Sequence, residues 1–261
     1  MRSINSPLAR DDSRPRERMP SPRAWRHIVL RVARVLLLVG ILGGLLGVVV
    51  GWAYLASLPS VADAEQRVAA ILRERHGVAF GPLPPQKVGQ AIVAVEDHRF
   101  YSDHGIDPLS MLHFAWGYVT TGSTQEGGAT ITEQLAKILY VRDPTTVQGK
   151  IEMVGLAVKL DQRYSKTQIL DMYLNAIYYG HKAYGIAQAS QTYFHTTPDR
   201  LNWGQASMLA GLPQAPSAYD PLKHFDLARV RQRHVLDRLV ATGVLSPAQA
   251  ARAWAETSAL P

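Results

Sequence analysis

Residues 35–56 read VLLLVGILGGLLGVVVGWAYLA, 22 residues without a charged side chain. At about 1.5 Å per residue, a helix of that length crosses the roughly 30 Å hydrocarbon core of a bilayer. The run therefore splits the chain into segments on opposite sides of a membrane helix. Trp52 and Tyr54 lie at its far end, where amphipathic rings favour the interface. Nine arginines occur up to Arg34 against only Asp11, Asp12 and Glu17, and almost no charge stands directly after the run. The positive-inside rule then expects a single-pass protein, with its N-terminus cytoplasmic and residues 57–261 outside. A cleaved signal peptide is the competing reading. The run is longer than a usual signal core and has no clean A-x-A site directly after it.

The same arginines decide what the net charge of +7 means. Beyond residue 34 the chain holds 19 basic and 18 acidic residues, so the excess is a tail and not a nucleic-acid-binding domain. With no cysteine, disulfides, thiolate catalysis and cysteine-ligated metals are excluded. An apolar fraction of 47% leaves room for a real core.

Four regions are expected: a basic tail at 1–27, the membrane helix and its flank at 28–57, a connector at 58–82 that could form one amphipathic helix, and a globular domain at 83–261. The domain reads as mainly α. Pro84-Pro85 precede a helix whose Val88, Ala91, Ile92 and Val95 recur at i, i+3, i+4 and i+7. Further helices are expected over 129–140, 149–163, 184–194 and 203–212, and from Asp226 to about 242. Ser165 with Gln168, and Ser246-Pro247 with Gln249, read as capping boxes opening two more. Between 106 and 128, Leu109, Met111, Leu112, Phe114, Trp116 and Tyr118 read either as core or as an apolar lip that dips into lipid.

Three stretches could carry chemistry. AIVAVEDHRFYSDHG (91–105) ends an apolar face in Glu96 and Asp97. A helix C-terminus disfavours negative charge, so a carboxylate held there is either solvated or a candidate general base. GGATITEQLAK (127–137) opens a helix with a double glycine, and free backbone N–H groups there suit a phosphate. Thr130, Thr132 and Gln134 add neutral donors and Lys137 a charge, without the spacing of a Walker A loop. Over 149–163, Glu152, Lys159 and Arg163 share one helix face, either as a solvated stripe or as a wall opposite Glu96.

Taken together these segments resemble one family. Glu96-Asp97 with Phe100, His104 and Gly105 comes first, then GG-x-T-I-T-x-Q-L-x-K, then Lys150 with Glu152. S-K-x-x-I-L-x-x-Y-L-N (165–175) and Y-x-G…Y-G-I (178–186) come next. The pattern is similar to the peptidoglycan glycosyltransferase family, the chain-polymerising domain of bifunctional penicillin-binding proteins and of monofunctional transglycosylases. It covers roughly residues 83–235.

The resemblance implies a mainly α, two-lobed, lysozyme-like domain with a small membrane-touching lobe. It implies inverting transfer from a polyprenyl-diphosphate-linked glycan onto lipid II, with possible cell-wall synthesis or division partners. Glu96 takes the place of the family's general base, with Asp97 and His104 in the same motif. Thr130, Gln134 and Lys137 match donor-site residues. Lys150 matches a diphosphate ligand, and Glu152 a glutamate that assists it or a divalent cation such as Mg or Mn. No tightly bound cofactor is expected. The chain's length leaves no room for a transpeptidase domain, so a monofunctional polymerase is expected.

Four positions depart from the pattern: Ala129 where serine is usual, Glu133 for glutamine, Ile138 for asparagine and Gly149 for arginine. Loss of that arginine removes a bidentate diphosphate ligand whose geometry Lys150 cannot reproduce, and Arg142 or Arg163 is the expected substitute. These departures keep open a catalytically weak scaffold that binds lipid II or synthesis partners. A glycan-cleaving enzyme is a more distant third reading.

Overall fold

The computed structural model describes residues 22–107 and 129–257, and those residues are mainly helical, without a named strand. Helix α1 (Pro22–Ser57) contains the apolar run, and its span Leu30–Ser57 is long and apolar enough to cross a membrane as an anchor. Of the described residues, those up to Ala53 form one compact unit and those from Tyr54 onward another.

Within the second unit, α2 (Ala64–Glu74) buries Val68 and Leu72 against α6 (Lys166–Ala176), so the segment expected as a connector contributes core. Helix α3 (Gln86–Glu96) starts after the paired prolines and buries Val88, Ala91 and Ile92 completely, each large apolar group stabilising by about 1.5–3 kcal/mol. Helix α4 (Ile131–Tyr140) packs on α5 (Val147–Arg163) and on α6. Beyond α7 (Ile186–Phe194), α8 (Trp203–Gly211), α9 (Phe225–Ala241) and α10 (Pro247–Glu256) pack on one another, and α3 lies against α8 and α9. The end of α3 thus falls at the seam between the α4–α5–α6 group and the α8–α9–α10 group.

Local chemistry sets the ends of these helices. The boxes at Ser165–Gln168 and Ser246–Gln249 form as expected. Asn202–Gln205 makes another, opening α8. Asn175 locks the approach to α3: its side chain accepts from Phe80 N at 2.8 Å and donates to Phe80 O at 2.7 Å. The apolar lip expected within 106–128, with the smaller lobe it was to form, lies outside the described residues, as do Gly127 and Gly128.

Candidate active site at the end of α3

Glu96 is the last residue of α3, and each of its carboxylate oxygens is held by a different helix. Gln134 Nε2, on α4, donates to Oε2 at 3.0 Å; Arg231, on α9, donates to Oε1 at 3.3 Å. The side chains are 14% exposed for Glu96 and 10% for Arg231, so the pair is shielded but still reached by solvent. Tyr173 OH donates to Gln134 Oε1 at 2.9 Å and fixes which end of the amide faces Glu96. Its phenol is pushed well up by burial and stays a donor. The unfavourable field of the helix end is answered by Arg231 and by Arg238, whose Nε donates to Ala94 O at 3.2 Å. A carboxylate has about four acceptor positions, so the two held oxygens retain lone pairs for an incoming hydroxyl.

Asp97, one residue on, has a different fate. It is buried, and its Oδ2 accepts from Ile131 N at 3.0 Å, capping the start of α4. Burial, then the neighbouring Asp103, pushes its carboxyl up to about 7, while the bond from Ile131 opposes that shift. Asp103 is tied to Lys166, which also pairs with Asp161 at 2.8 Å. Gly105, at φ +82°, closes this loop against α5, where a Cβ would lie 2.7 Å from Ala157 O. His104, beside it, is exposed.

At the start of α4 side chains take three backbone donors, while Gly127 and Gly128 lie outside the described residues. Thr130 Oγ1 accepts from Glu133 N at 3.0 Å and donates to Gly105 O at 2.8 Å, and Glu133 Oε2 accepts from Thr130 N at 2.8 Å. With Ile131 N given to Asp97, the backbone donors of residues 130, 131 and 133 are already used. Glu133 is thus a buried capping carboxylate, its pKa raised by burial, and not a stray charge beside a diphosphate. The T-x-x-E signature of a capping box was present in the sequence to show this.

Helix α5 carries the other expected residues. Thr146 caps it through Gly149 N at 3.0 Å. A Cβ at Gly149 would lie 1.9 Å from Asp143 O, so this backbone admits no side chain there. Glu152, Gly155 and Lys159 do share a face, but that face meets residues 54–58. Glu152 acts electrostatically on Tyr54, Gly155 lies under Leu58 and Tyr54, and Lys159 Nζ donates to Leu55 O and Leu58 O. Among the described residues no hydrogen bond or ion pair joins Glu152 to the Glu96 cluster. Lys137, Arg142, Lys150 and Arg163 are exposed. Among the described residues no group of three or more His, Asp or Glu side chains could share a metal ion.

Residues 65–240 match the family model described as transglycosylase. The chain belongs to the transglycosylase family. Penicillin-binding protein 1A of Escherichia coli K12 is 38% identical over 68% of this chain and 21% of its own length. The protein of the same name from Neisseria gonorrhoeae is 41% identical over 63% of this chain and 21% of its own. Penicillin-binding protein 1F of Bacillus subtilis 168 is 37% identical over 78% of this chain and 29% of its own. The chain therefore spans between about a fifth and three tenths of these relatives. Within this transglycosylase domain, Arg231 is the site residue that sequence reasoning missed. It lies 135 positions from Glu96, and only its seven-residue spacing from Arg238, with buried Val235 between, marks it as facing inward.

Proposed function

We propose that the chain polymerises lipid II into peptidoglycan glycan strands by inverting glycosyl transfer, releasing polyprenyl diphosphate. The observation that carries this is the Glu96 carboxylate, shielded at a helix seam with both oxygens held and lone pairs to spare. Glu96 accepts the proton of the acceptor 4-hydroxyl as that oxygen bonds to the donor's anomeric carbon. The bond from that carbon to the diphosphate oxygen breaks on the opposite face, which inverts the centre. The leaving diphosphate needs positive charge, for which Lys137 and Lys150 are the candidates on α4 and α5. Membership of the transglycosylase family and the membrane anchor support a lipid-linked substrate. The arginine-rich N-terminus supports a cytoplasmic tail with the domain outside the bacterial inner membrane, where cell-wall synthesis or division proteins are the expected partners.

The test is polymerisation of labelled lipid II by the detergent-purified full chain, with Glu96→Gln alongside and Mg or Mn present or absent. Muramidase-sensitive polymer from the parent and none from Glu96→Gln is the expected result. No polymer from either, with lipid II still bound, would replace this reading with the scaffold.

A further inference from the structure

At the foot of the anchor, Ala56, Leu58, Ser60, Val61, Ala62, Lys159, Gln162 and Arg163 line an open groove of about 550 Å³. Two of these residues are cations and none is acidic. Lys159 Nζ uses two of its three donors on Leu55 O and Leu58 O, at 3.3 and 2.8 Å, which leaves one and holds the charge in place. Arg163 ends α5 with its guanidinium exposed, and Gln162 adds an amide beside it. The remaining lining holds the aliphatic Ala56, Leu58, Val61 and Ala62 with Ser60 among them, and Ala56 lies one residue before the end of α1, whose span Leu30–Ser57 is able to cross a bilayer. Two cations beside aliphatic side chains, next in sequence to a helix able to span a bilayer, match a phosphodiester headgroup and the first carbons of its chains.

We propose that this groove binds the headgroup of an anionic phospholipid, with Arg163 and Lys159 as its phosphate ligands. It is separate from the Glu96 site, and the proposal stands whether or not the chain polymerises glycan. It also gives Arg163 a different task from the substrate contact its sequence position suggested.

The experiment places the full chain in phosphatidylcholine nanodiscs doped with a photoactivatable phosphatidylglycerol, and crosslinks are mapped by peptide mass spectrometry. Labelling is expected within 56–62 and 159–163. It should fall about fivefold in Arg163→Gln, the effect of one basic group at an anionic surface, and return in Arg163→Lys. Labelling of the arginine-rich segment before residue 35 serves as the internal reference and should not change. Groove labelling that is equal in Arg163→Gln would overturn the proposal. So would its displacement by equimolar polyprenyl diphosphate, which would assign the groove to substrate.

Discussion

Glu96 and Glu152 are two glutamates on helices of one domain, and their surroundings differ in kind. Glu96 is gripped from both sides, by Gln134 of α4 and Arg231 of α9, and Tyr173 in turn fixes the Gln134 amide. Glu152 makes no hydrogen bond or ion pair among the described residues, and its field falls on Tyr54 at the end of the anchor. A catalytic base must be held where the reacting hydroxyl will be, and that precision comes from neighbouring elements rather than from the helix that carries it. By this measure one glutamate is positioned and the other is not.

The contrast is sharpest in turnover. Glu96→Gln keeps a hydrogen-bonding side chain but removes the base, and lipid II polymerisation should fall by about 10² to 10⁴-fold with lipid II binding retained. Arg231→Ala leaves Glu96 shielded without its cation. It should destabilise the fold by about 3 kcal/mol in urea titration and cut turnover, with Arg231→Lys recovering part of both. An Arg231→Ala protein as stable and active as the parent would mean that Glu96 is not held as described.

Asp97→Asn probes the neighbouring carboxylate through pH. A carboxyl raised to about 7 favours folding while protonated, so its contribution is full below about pH 4 and is lost as pH rises through 7. Asn should flatten the slope of stability against pH in that window by up to about 1.4 kcal/mol per pH unit, read from denaturation at a series of pH values. An unchanged slope would remove Asp97 from the titrating groups. The smallest effect is expected at Glu152→Gln, under about threefold in turnover, as for a half-buried side chain with no hydrogen bond into the Glu96 cluster among the described residues. A loss matching that of Glu96→Gln would break the comparison.

The range of the forces involved decides which features the sequence disclosed and which it hid. Helix faces and caps are local, so the buried stripe of α3 and the boxes at Ser165 and Ser246 could be read directly. Glu96 stood out because an apolar face ended abruptly in acid. The shared face of Glu152 and Lys159 was also legible, but helix periodicity gives no information about which neighbour that face meets. Arg231 among Arg229, Arg233 and Arg238 looks like a solvated stripe until α9 docks against α3. Glu133 stood in the sequence as a departure from the family's glutamine, and its T-x-x-E spacing from Thr130 carried the local signal that it caps α4.

The close approach at Gly149 bears on any attempt to place an arginine there. A single substitution cannot supply an arginine there, because its first side-chain carbon would enter the carbonyl of Asp143. The turn over residues 143–146 must be rebuilt first, and until then each intermediate loses folding stability for a ligand it cannot yet use. A graft intended to place an arginine there should carry the preceding turn with it.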